Sequence, residues 1–257
     1  MPQRHVNIVG FIPARAESGR FPGKPLADIH GKPMIMRVFE SAARSAVLED
    51  LYIATDSEEI AQTVRDHGGK ALMTSPDHGC GTDRVAEAAE QIGMNGDAIA
   101  VNIQGDQPLM DPRMIEEVVR PLKDDPRIPM STLIYRIVRD EEITHPNAVK
   151  TVADREGFAI YFSRATIPFF REGSAKPVYY KHHGIYAYRN DFLQLFSKLP
   201  KGFLESAERL EQLRALEHGF RIKLVVTERD SIEVDTPEDL ERVRQELSKD
   251  KLTGKNA

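Results

Sequence analysis

Cysteine, long apolar segments and excess positive charge are all scarce in this chain of 257 residues. The single cysteine, Cys80, excludes an intramolecular disulfide and is typical of proteins in a reducing cytoplasm. The longest apolar run falls far short of the roughly 20 residues that a membrane-spanning helix needs. The first residues also lack the long apolar stretch and small-residue cleavage site of a secretory signal. We therefore expect a cytoplasmic protein without a membrane span.

The acidic balance of the chain narrows the range of its partners. The formal net charge of -5 and the pI near 5.9 argue against broad nucleic-acid binding, which requires a basic face. Hydrophobic residues make up 40% and charged residues 29%, which is ordinary for a soluble globular protein. We therefore expect small-molecule ligands, with no nucleic-acid or membrane partner.

The first half of the chain alternates apolar runs with helical patterns. The predicted strands cover residues 6–12, 51–55, 70–73 and 98–103, and the predicted helices cover residues 34–45, 57–67, 83–92 and 112–123. Ser57 fits the N-cap of one helix and Gly68 its stop. This alternation is typical of a parallel sheet that helices cover on both faces.

The second half of the chain is more mixed, with short strand patterns following one another. Strands are predicted over 130–137, 149–152, 159–162, 185–188 and 222–226, and helices over 191–198, 205–218 and 237–247. No long linker, repeat or low-complexity segment separates the halves. We predict one α/β domain with a mostly parallel sheet flanked by helices, a smaller mixed or antiparallel lobe at about residues 131–230, and a closing helix and tail at 231–257.

A loop rich in glycine and cations follows the first predicted strand. The stretch IPARAESGRFPGKPL carries Arg15, Arg20 and Lys24. Ligands of open α/β sheets bind beyond the carboxyl ends of the strands, which is where this loop lies. Glycines let backbone N–H groups approach an anion, and the cations neutralise its charge, so the loop suits a polyphosphate. A solvated surface loop without a ligand remains the alternative.

The familiar phosphate-binding motifs do not describe this loop. A P-loop needs four residues between its first glycine and the Gly-Lys pair, and a Ser or Thr after the lysine. Here Gly19 and Gly23 enclose only three residues, and Pro25 stands where the hydroxyl is required. The GxGxxG pattern is also absent, so neither a P-loop nor a dinucleotide fold is predicted.

Two carboxylates follow predicted strands and are candidate metal ligands. Asp106 lies in NIQGDQP after a strongly apolar strand, and Asp235 lies in VDTPED between the last strand and the last helix. Magnesium prefers one or two carboxylates together with phosphate oxygens and water. The structural alternatives are a turn residue for Asp106 and a helix cap for Asp235.

A series of motifs follows in order along the chain and is recognisable as a family pattern. They are IPAR…RFPGKPL, HGKPMI, ATDSEEIA, GTDRVAEA, VNIQGDQPL, HPNAVK, YFSRATIPF, KHHGIYAYR, LEQLRALEHG and VDTPEDLERVR. Together they resemble the CMP-Kdo synthetases, the 3-deoxy-manno-octulosonate (Kdo) cytidylyltransferases of lipopolysaccharide biosynthesis. The resemblance extends from about Asn7 to Leu247.

The resemblance implies a nucleotidyltransferase-type, Rossmann-like fold, a homodimer, Mg²⁺ as cofactor and the reaction CTP + Kdo → CMP-Kdo + pyrophosphate. It also implies that about residues 1–130 bind the nucleotide and about 131–230 form the sugar-binding and dimerisation lobe. By motif, Arg15 and Lys24 would hold the triphosphate, and Arg84 would belong to the cytidine pocket. Asp106 and Asp235 would bind Mg²⁺, and with Arg15 and Lys24 they form the expected catalytic set. The sugar site would be lined by Gln104, Arg164, His182, Tyr186, Glu211 and Gln212.

Four of the sugar-site residues also have a structural interpretation when their motifs are set aside. Arg164 lies in an apolar strand-like run, where a buried ion pair with a protein carboxylate is the alternative to an anionic ligand. His182 alone would more commonly be a packed or surface histidine, and His183 is read as structural. Glu211 and Gln212 would project about 100° apart on a helix, and a solvated face is their alternative.

The mechanism implied is in-line attack by the anomeric hydroxyl of Kdo on the α-phosphorus of CTP, with pyrophosphate leaving. Such transfers depend mainly on positioning and charge neutralisation. Mg²⁺ on the two aspartates would polarise the attacking hydroxyl and steady the α-phosphate, and Arg15 and Lys24 would stabilise the pyrophosphate. No side chain stands out in the sequence as a general base.

Two departures and two rivals accompany the resemblance. Cys80 stands where the family usually has serine, and a thiol is a poorer hydrogen-bonding partner than a hydroxyl. The short segment between Pro168 and His182 also resembles relatives that activate 8-amino-3,8-dideoxy-octulosonate. Activation of a nine-carbon sialic-acid-like sugar is disfavoured by SRATIP and KHHGIY. An inactive sugar-nucleotide-binding regulator would be expected to lose Asp106, Asp235 or Lys24, and all three are present.

Overall fold

The structure is a computed structural model that describes residues 6–15 and 21–253. In chain order its elements are β1 (Ile8–Ala14), a 3-10 helix (Lys24–Leu26), α1 (Met34–Ala42), β2 (Asp50–Thr55), α2 (Glu58–Asp66), β3 (Ala71–Met73), α3 (Gly81–Gln91), β4 (Ile99–Asn102), α4 (Arg113–Asp124), β5 (Met130–Arg136), α5 (Asp140–Thr144), β6 (Lys150–Ala153), β7 (Ala159–Ser163), β8 (Tyr180–Arg189), α6 (Asn190–Phe196), α7 (Phe203–Glu208), α8 (Leu213–Glu217), β9 (Ile222–Thr227) and α9 (Pro237–Thr253).

The chain forms two compact units by its internal contacts. The N-terminal unit contains the described residues of Ile8–Met94, Asn102–Ile115 and Ser231–Ala257. The central unit contains those of Met1–Asn7, Asn95–Val101 and Glu116–Asp230. The division by role that the sequence predicts, at about residues 130 and 230, stays a prediction.

The N-terminal unit is built on the parallel strands β1, β2 and β3. β2 lies between the other two and pairs with both in parallel register. The strands of this sheet are apolar because helices pack against it, and Phe11 and Ile12 of β1 and Ile53 of β2 are fully buried. The cap predicted for α2 is confirmed, since Ser57 Oγ accepts a hydrogen bond from the Ile60 N–H at 3.4 Å.

The central unit carries a mixed sheet in the order β4-β8-β5-β9. β5 pairs antiparallel with β8 and parallel with β9, while β6 pairs antiparallel with β7 and with β8. This confirms the α/β class, with parallel pairing among β1, β2 and β3 and mixed pairing in the second part of the chain. None of the helices described here is long and apolar enough to cross a membrane.

One predicted helix, over 205–218, is wrong. The chain forms α7 and α8 instead, because Arg209 adopts a left-handed conformation (φ 53°) that ends α7. The carboxylate of Glu217 accepts hydrogen bonds from the N–H groups of Leu204 (2.9 Å) and Glu205 (3.1 Å), so the end of α8 caps the start of α7. The 3-10 helix and α5 were not predicted, and β8 extends further than residues 185–188.

An apolar cluster anchors α9 within the N-terminal unit. Its buried members come from the segment before α1, from α1 and from the C-terminal segment: Ile29, Met34, Val234, Leu240 and Val243. Burying an aliphatic side chain of this size contributes about 1.5–3 kcal/mol. The Arg244 guanidinium adds a hydrogen bond to the Asp28 carbonyl at 2.6 Å. The start of α9, including Asp235, is therefore fixed against the segment that follows the 3-10 helix.

Candidate active site

Lys24 lies at the centre of a polar cluster in the N-terminal unit. Gly23, with φ 71°, turns the chain into the 3-10 helix that begins at Lys24. Lys24 Nζ donates hydrogen bonds to Asp106 Oδ2 and to the Val234 carbonyl, both at 2.9 Å. The same nitrogen lies 3.7 Å from Asp235 Oδ1. One ammonium therefore lies between the two carboxylates that the sequence proposes as metal ligands.

The two carboxylates, which we call the carboxylate pair, are held together by contacts of their own segments. The Val234 N–H donates to the Asp106 carbonyl at 2.9 Å. The buried side chain of Gln107 donates from Nε2 to Glu233 Oε1 at 3.0 Å. The turn after β4 and the segment before α9 are thus joined by main-chain and side-chain bonds, which fixes the spacing of Asp106 and Asp235.

Thr236 and Asp239 cap α9. Asp239 Oδ2 accepts hydrogen bonds from the Thr236 N–H (3.1 Å) and the Asp235 N–H (3.2 Å), and Thr236 Oγ1 accepts one from the Asp239 N–H (3.2 Å). This is the reciprocal arrangement of a capping box. The helix-cap interpretation of Asp235 is therefore wrong, because its neighbour performs that function and the Asp235 carboxylate faces Lys24.

The chemistry of the carboxylate pair fits Mg²⁺. Two hard oxygen donors already share one cation, the Lys24 ammonium. The part of the chain that the structure describes has no group of three or more His, Cys, Asp or Glu side chains arranged to hold a metal ion. Mg²⁺ is commonly held by one or two carboxylates with phosphate oxygens and water completing the shell, so two protein ligands suffice beside a triphosphate.

Arg15 lies at the end of β1 and contacts the loop before α3. Its Nη2 donates to the Gly79 carbonyl at 3.3 Å. Glu87 of α3 holds the same loop, since its carboxylate accepts the Ser75 N–H at 2.8 Å and contacts the ring of His78. These bonds lower the pKa of Glu87 against the opposing effect of burial. Arg20 and Gly19 of the opening loop lie outside the described residues.

Arg84 is fully buried at the start of α3. Its Nη2 pairs with Asp56 Oδ2 at 2.6 Å, and its Nη1 bonds the Thr74 hydroxyl. Its Nε has no hydrogen-bond partner among the described residues. The guanidinium thus fixes α3 to the ends of β2 and β3, and contact with a nucleotide remains a prediction for it. Cys80 takes the N-cap position of α3 in extended conformation.

Gln104 lies in the N-terminal unit, two residues before Asp106. It is half-buried, and its carbonyl accepts the N–H of Gln107 at 3.4 Å. The five other sugar-site residues that the sequence predicts lie in the central unit. The structure therefore groups Gln104 with the carboxylate pair and Lys24.

Arg164 is half-buried at the end of β7, and its guanidinium bonds main-chain carbonyls. Nε donates to the Glu208 carbonyl at 2.7 Å, Nη1 to the Pro146 carbonyl at 3.0 Å and Nη2 to the Arg209 carbonyl at 3.4 Å. Among the described residues no carboxylate pairs with this guanidinium, so the interpretation of Arg164 as an internal ion pair is wrong. Its charge is available to an anion.

A β-bulge brings His182 and Tyr186 together on β8. The register against β5 shifts between Thr132, opposite Tyr186, and Leu133, opposite His183. Residues four apart on a regular strand are separated by about 13 Å. Here the ring centroids lie 5.2 Å apart, since the bulge shortens the strand. Two of the predicted sugar contacts therefore form one aromatic surface, which the sequence predicts only as separate motif positions.

The hydroxyl of Thr132 is a hydrogen-bond partner of the His182 ring. Thr132 Oγ1 lies 2.9 Å from His182 Nε2, and it also donates towards the carbonyls of His183 (3.0 Å) and Ile185 (2.8 Å). Because two carbonyls compete for the single hydrogen of this hydroxyl, we assign His182 Nε2 as the donor to Oγ1. His182 Nδ1 is then an acceptor, suited to a hydroxyl of a sugar.

Glu211 and Gln212 lie between α7 and α8. Gln212 is the residue before α8, and its own backbone is in the right-handed helical region (φ -63°, ψ -18°). Gln212 is buried, and its Nε2 has no hydrogen-bond partner among the described residues. A buried amide N–H costs free energy unless a ligand or a water accepts its hydrogen bond. The burial of Gln212 contradicts the interpretation that it lies on a solvated face.

His182 is expected to reduce stability in acid. Enclosure by its neighbours lowers the pKa of His182 from 6.5 to about 3, with the nearby His183 adding to the effect. Because the folded pKa is the lower one, the unfolded chain takes up the proton first, and the free energy of unfolding falls as pH falls from about 6.5 towards 3. At pH 5 this loss is about 1–2 kcal/mol.

Urea unfolding at pH 7 and pH 5 measures this effect. His182→Gln keeps an N–H donor to Thr132 but has no proton to gain, so its loss of stability between the two pH values should be smaller than that of the unmodified chain. The same substitution at the exposed His218 is the matched control. An equal loss in His182→Gln and the unmodified chain would contradict the assignment.

Several residues that organise the site were not predicted from the sequence. Gln107 and Glu233 join the carboxylate pair, Thr132 supports the bulge, and Glu208 and Lys150 hold the main chain of Arg164. Lys150 alone could have been noticed in the sequence, because it is a charged residue within the apolar strand predicted over 149–152. The others act through contacts distant in sequence.

The fold defines the class of protein first. A crystal structure of 4-diphosphocytidyl-2C-methyl-D-erythritolsynthase from Anaerococcus prevotii shares the fold with a TM-score of 0.60 at 10% identity, over 95% of this chain and 99% of that one. A cytidylyltransferase from Leptospira borgpetersenii aligns with a TM-score of 0.64 at 18% identity, over 95% of this chain and 87% of that one. The chain thus has the nucleotidyltransferase-type α/β fold.

The family follows from closer similarity. A family model described as Cytidylyltransferase matches residues 9–224. The structure of a CMP:2-keto-3-deoxy-manno-octonic acid synthetase complexed with CTP aligns with a TM-score of 0.89 at 42% identity, over 95% of this chain and 99% of that one. The chain belongs to the cytidylyltransferase family, in its CMP-Kdo synthetase branch, and the resemblance found in the sequence is confirmed.

Two groups of curated relatives are similar to the chain over most of its length. The 3-deoxy-manno-octulosonate cytidylyltransferase of Syntrophus aciditrophicus is 57% identical over 93% of this chain and 97% of its own. The 8-amino-3,8-dideoxy-manno-octulosonate cytidylyltransferase of Shewanella sp. strain ANA-3 is 51% identical over 95% of this chain and 100% of its own. The relatives therefore include enzymes named for both sugars.

Proposed function

We propose that the chain transfers CMP from CTP to Kdo, giving CMP-Kdo and pyrophosphate for lipopolysaccharide biosynthesis. The observation that carries this proposal is the contact of Lys24 with both Asp106 and Asp235, since it places a phosphate-binding cation beside two Mg²⁺-type ligands. The relatives named for this reaction support the choice of sugar.

On the nucleotide side, Asp106 and Asp235 would hold Mg²⁺ against the triphosphate. Bound there, the ion would supply charge neutralisation and polarisation of the attacking hydroxyl. Lys24 exchanges its carboxylate contacts for oxygens of the β- and γ-phosphates, and Arg15 exchanges its carbonyl contact in the same way. Both cations then neutralise the charge that develops on pyrophosphate as it leaves. Arg84 and Gln104 complete the nucleotide and sugar contacts predicted for the N-terminal unit.

On the sugar side, the central unit supplies one cation and several neutral hydrogen-bonding groups. Arg164 binds the Kdo carboxylate, because its guanidinium has no carboxylate partner among the described residues. His182 stays neutral at physiological pH, and its Nδ1 accepts a hydroxyl. The buried amide of Gln212 donates to another hydroxyl, and Tyr186 and Glu211 complete the set. Such a set suits a polyhydroxylated acid.

The 8-amino analogue of Kdo is the second candidate substrate. The similarity to the Shewanella relative, 51% over its whole length, supports it directly. The two sugars differ only at the eighth carbon, so the same transfer chemistry serves both. An ammonium at that carbon requires an acceptor, whereas a hydroxyl accepts as well as donates.

We also propose that the chain acts in the cytoplasm as a homodimer formed through the central unit. Support comes from exposed apolar side chains there: Phe169 is 86% exposed, Ile160 60%, Val178 49% and Phe170 42%. Exposed apolar surface of this kind is typical of protein–protein contacts. Sedimentation should give twice the chain mass of 28.9 kDa, and a mass of one chain would contradict the proposal.

Release of pyrophosphate tests the function. The folded chain is given CTP and Mg²⁺ with either Kdo or its 8-amino analogue, and we expect release with Kdo to be favoured. Preference for the analogue would keep the reaction and change the substrate. No release with either sugar, from protein shown to be folded, would contradict the proposed transfer.

A further inference from the structure

Lys150 is a fully buried lysine that the reaction does not use. It begins β6, where it lies opposite Ser163 of the antiparallel strand β7, one residue before Arg164. Burying an ammonium is costly, and proteins retain such a group only where its hydrogen bonds are satisfied. Burial lowers the pKa of Lys150, and the nearby Glu208 carboxylate partly opposes this effect.

Lys150 donates hydrogen bonds to two main-chain carbonyls, one in the turn before β6 and one at the end of β7. Its Nζ donates to the carbonyl of His145 and to the carbonyl of Arg164, each at 2.8 Å. These are its hydrogen bonds within the described part of the chain. The ammonium therefore joins the turn after α5 to the end of β7.

Arg164 is held from the opposite side by Glu208. The carboxylate of Glu208 accepts the Arg164 N–H at 2.9 Å and the Ser163 hydroxyl at 2.6 Å, while Arg164 Nε donates to the Glu208 carbonyl at 2.7 Å. Arg164 Nη1 reaches the carbonyl of Pro146, next to the His145 carbonyl that Lys150 binds. The peptide groups on both sides of the Arg164 Cα are thus each fixed by a charged side chain.

We propose that Lys150 is a positioning residue that sets the direction of the Arg164 guanidinium towards the sugar carboxylate. The ammonium binds the Arg164 carbonyl and the His145 carbonyl together. The main chain at Arg164 is thereby held in one position, and this position sets where the guanidinium lies. Without Lys150, the Arg164 carbonyl loses the ammonium donor, and the bond that joins this carbonyl to the turn at His145 is lost. This inference rests on the proposed use of Arg164 as the contact for the carboxylate of Kdo.

A pair of chemically modified proteins isolates the ammonium. Lys150→Cys is made in a Cys80→Ser background, so that residue 150 carries the only thiol. The unfolded chain is alkylated with 2-bromoethylamine, which restores an ammonium at lysine's length, or with 1-iodopropane, which gives an uncharged side chain of the same length. After refolding, KM for Kdo and KM for CTP are measured by pyrophosphate release, with refolded Cys80→Ser as reference.

The S-propyl protein should show a KM for Kdo raised about 10- to 100-fold, because small displacements of a positioning group have effects of this size, with KM for CTP changed less than about twofold. The S-aminoethyl protein should return to within about threefold of the reference. A merely structural role would change both KM values together or neither. Lys201→Met, at an exposed lysine of the same unit, is the control for loss of charge.

If the reference is active and KM for Kdo is unchanged in the S-propyl protein, the inference about Lys150 is overturned and the proposed function stands. Inactive reference protein would overturn the proposed function and this inference with it. Should the S-propyl chain not refold, Lys150→Arg gives the second test, since it keeps charge and donors but places them differently. KM for Kdo should again rise at least about tenfold, and an unchanged value would overturn the inference.

Discussion

Replacing Lys24 with methionine is expected to lower kcat for pyrophosphate release about 100- to 1000-fold while the chain stays folded. Methionine keeps the length of the side chain and removes its charge. Lys24 Nζ lies 2.9 Å from Asp106 Oδ2 and 3.7 Å from Asp235 Oδ1, so its charge acts on both carboxylates. Without it, the triphosphate meets two negative carboxylates with one cation fewer to neutralise pyrophosphate as it leaves.

The effect on stability should be far smaller than the effect on rate. The side chains of Asp106 and Asp235 are 27% and 30% exposed, so water solvates them when the ammonium is gone. We expect the free energy of unfolding in urea to fall by about 1–2 kcal/mol at most. Lys32→Met, at the nearby exposed lysine that pairs with Glu40, is the matched control. Kinetics within twofold of the unmodified chain would remove Lys24 from the proposed chemistry.

The sequence predicted the members of this cluster but not their contact. Lys24 and Asp106 are 82 positions apart, and their contact forms only when the chain folds. Spacing arguments place each residue after a strand, which is a local inference. That Lys24 occupies the space between the carboxylates depends on the turn at Gly23 and on the packing of α9, which no local pattern reports.

Local capping chemistry was predictable where one residue type decides it. Ser57 was expected to cap α2 and does, because a hydroxyl before an acidic first turn has few other uses. Before α9 the segment VDTPED has two neighbouring side chains, Asp235 and Thr236, that can each cap a helix, and propensity does not separate Asp from Thr. The choice is made by Asp239, whose carboxylate bonds Thr236 and thereby completes a capping box.

The two largest errors arose where tertiary contacts override a periodic pattern. Residues 205–218 continue a helical period, yet Arg209 adopts φ 53° and Glu217 turns back to cap α7. The bulge in β8 is likewise invisible in KHHGIYAYR, since it depends on Thr132 of β5. Both irregularities occur beside predicted sugar contacts, which is where a chain departs from regular structure to place side chains.

Replacing Asp235 with asparagine is expected to reduce Mg²⁺-dependent turnover about 1000-fold, since polarisation by a bound metal supplies several kcal/mol to such transfers. Asparagine has the same shape and keeps one oxygen, but it is a neutral ligand. The fold should be unaffected, because Thr236 and Asp239 cap α9 without the Asp235 side chain. The measurement is pyrophosphate release over a range of Mg²⁺ concentrations, with urea unfolding in parallel.

Binding of Mn²⁺ in the presence of CTP shows whether Asp235 is a metal ligand or only an ion-pair partner of Lys24. If Asp235 is a metal ligand, Asp235→Asn should weaken Mn²⁺ binding, observed by electron paramagnetic resonance, in step with turnover. Glu238→Gln, an exposed carboxylate in the first turn of α9, is the control and should change neither. Normal Mn²⁺ binding and normal turnover in Asp235→Asn would leave Asp235 only as a partner of the Lys24 ammonium. A metal role is favoured by the local charges, because one ammonium offsets only one of the two carboxylates, and Mg²⁺ held by this pair would lower the repulsion that a triphosphate meets there.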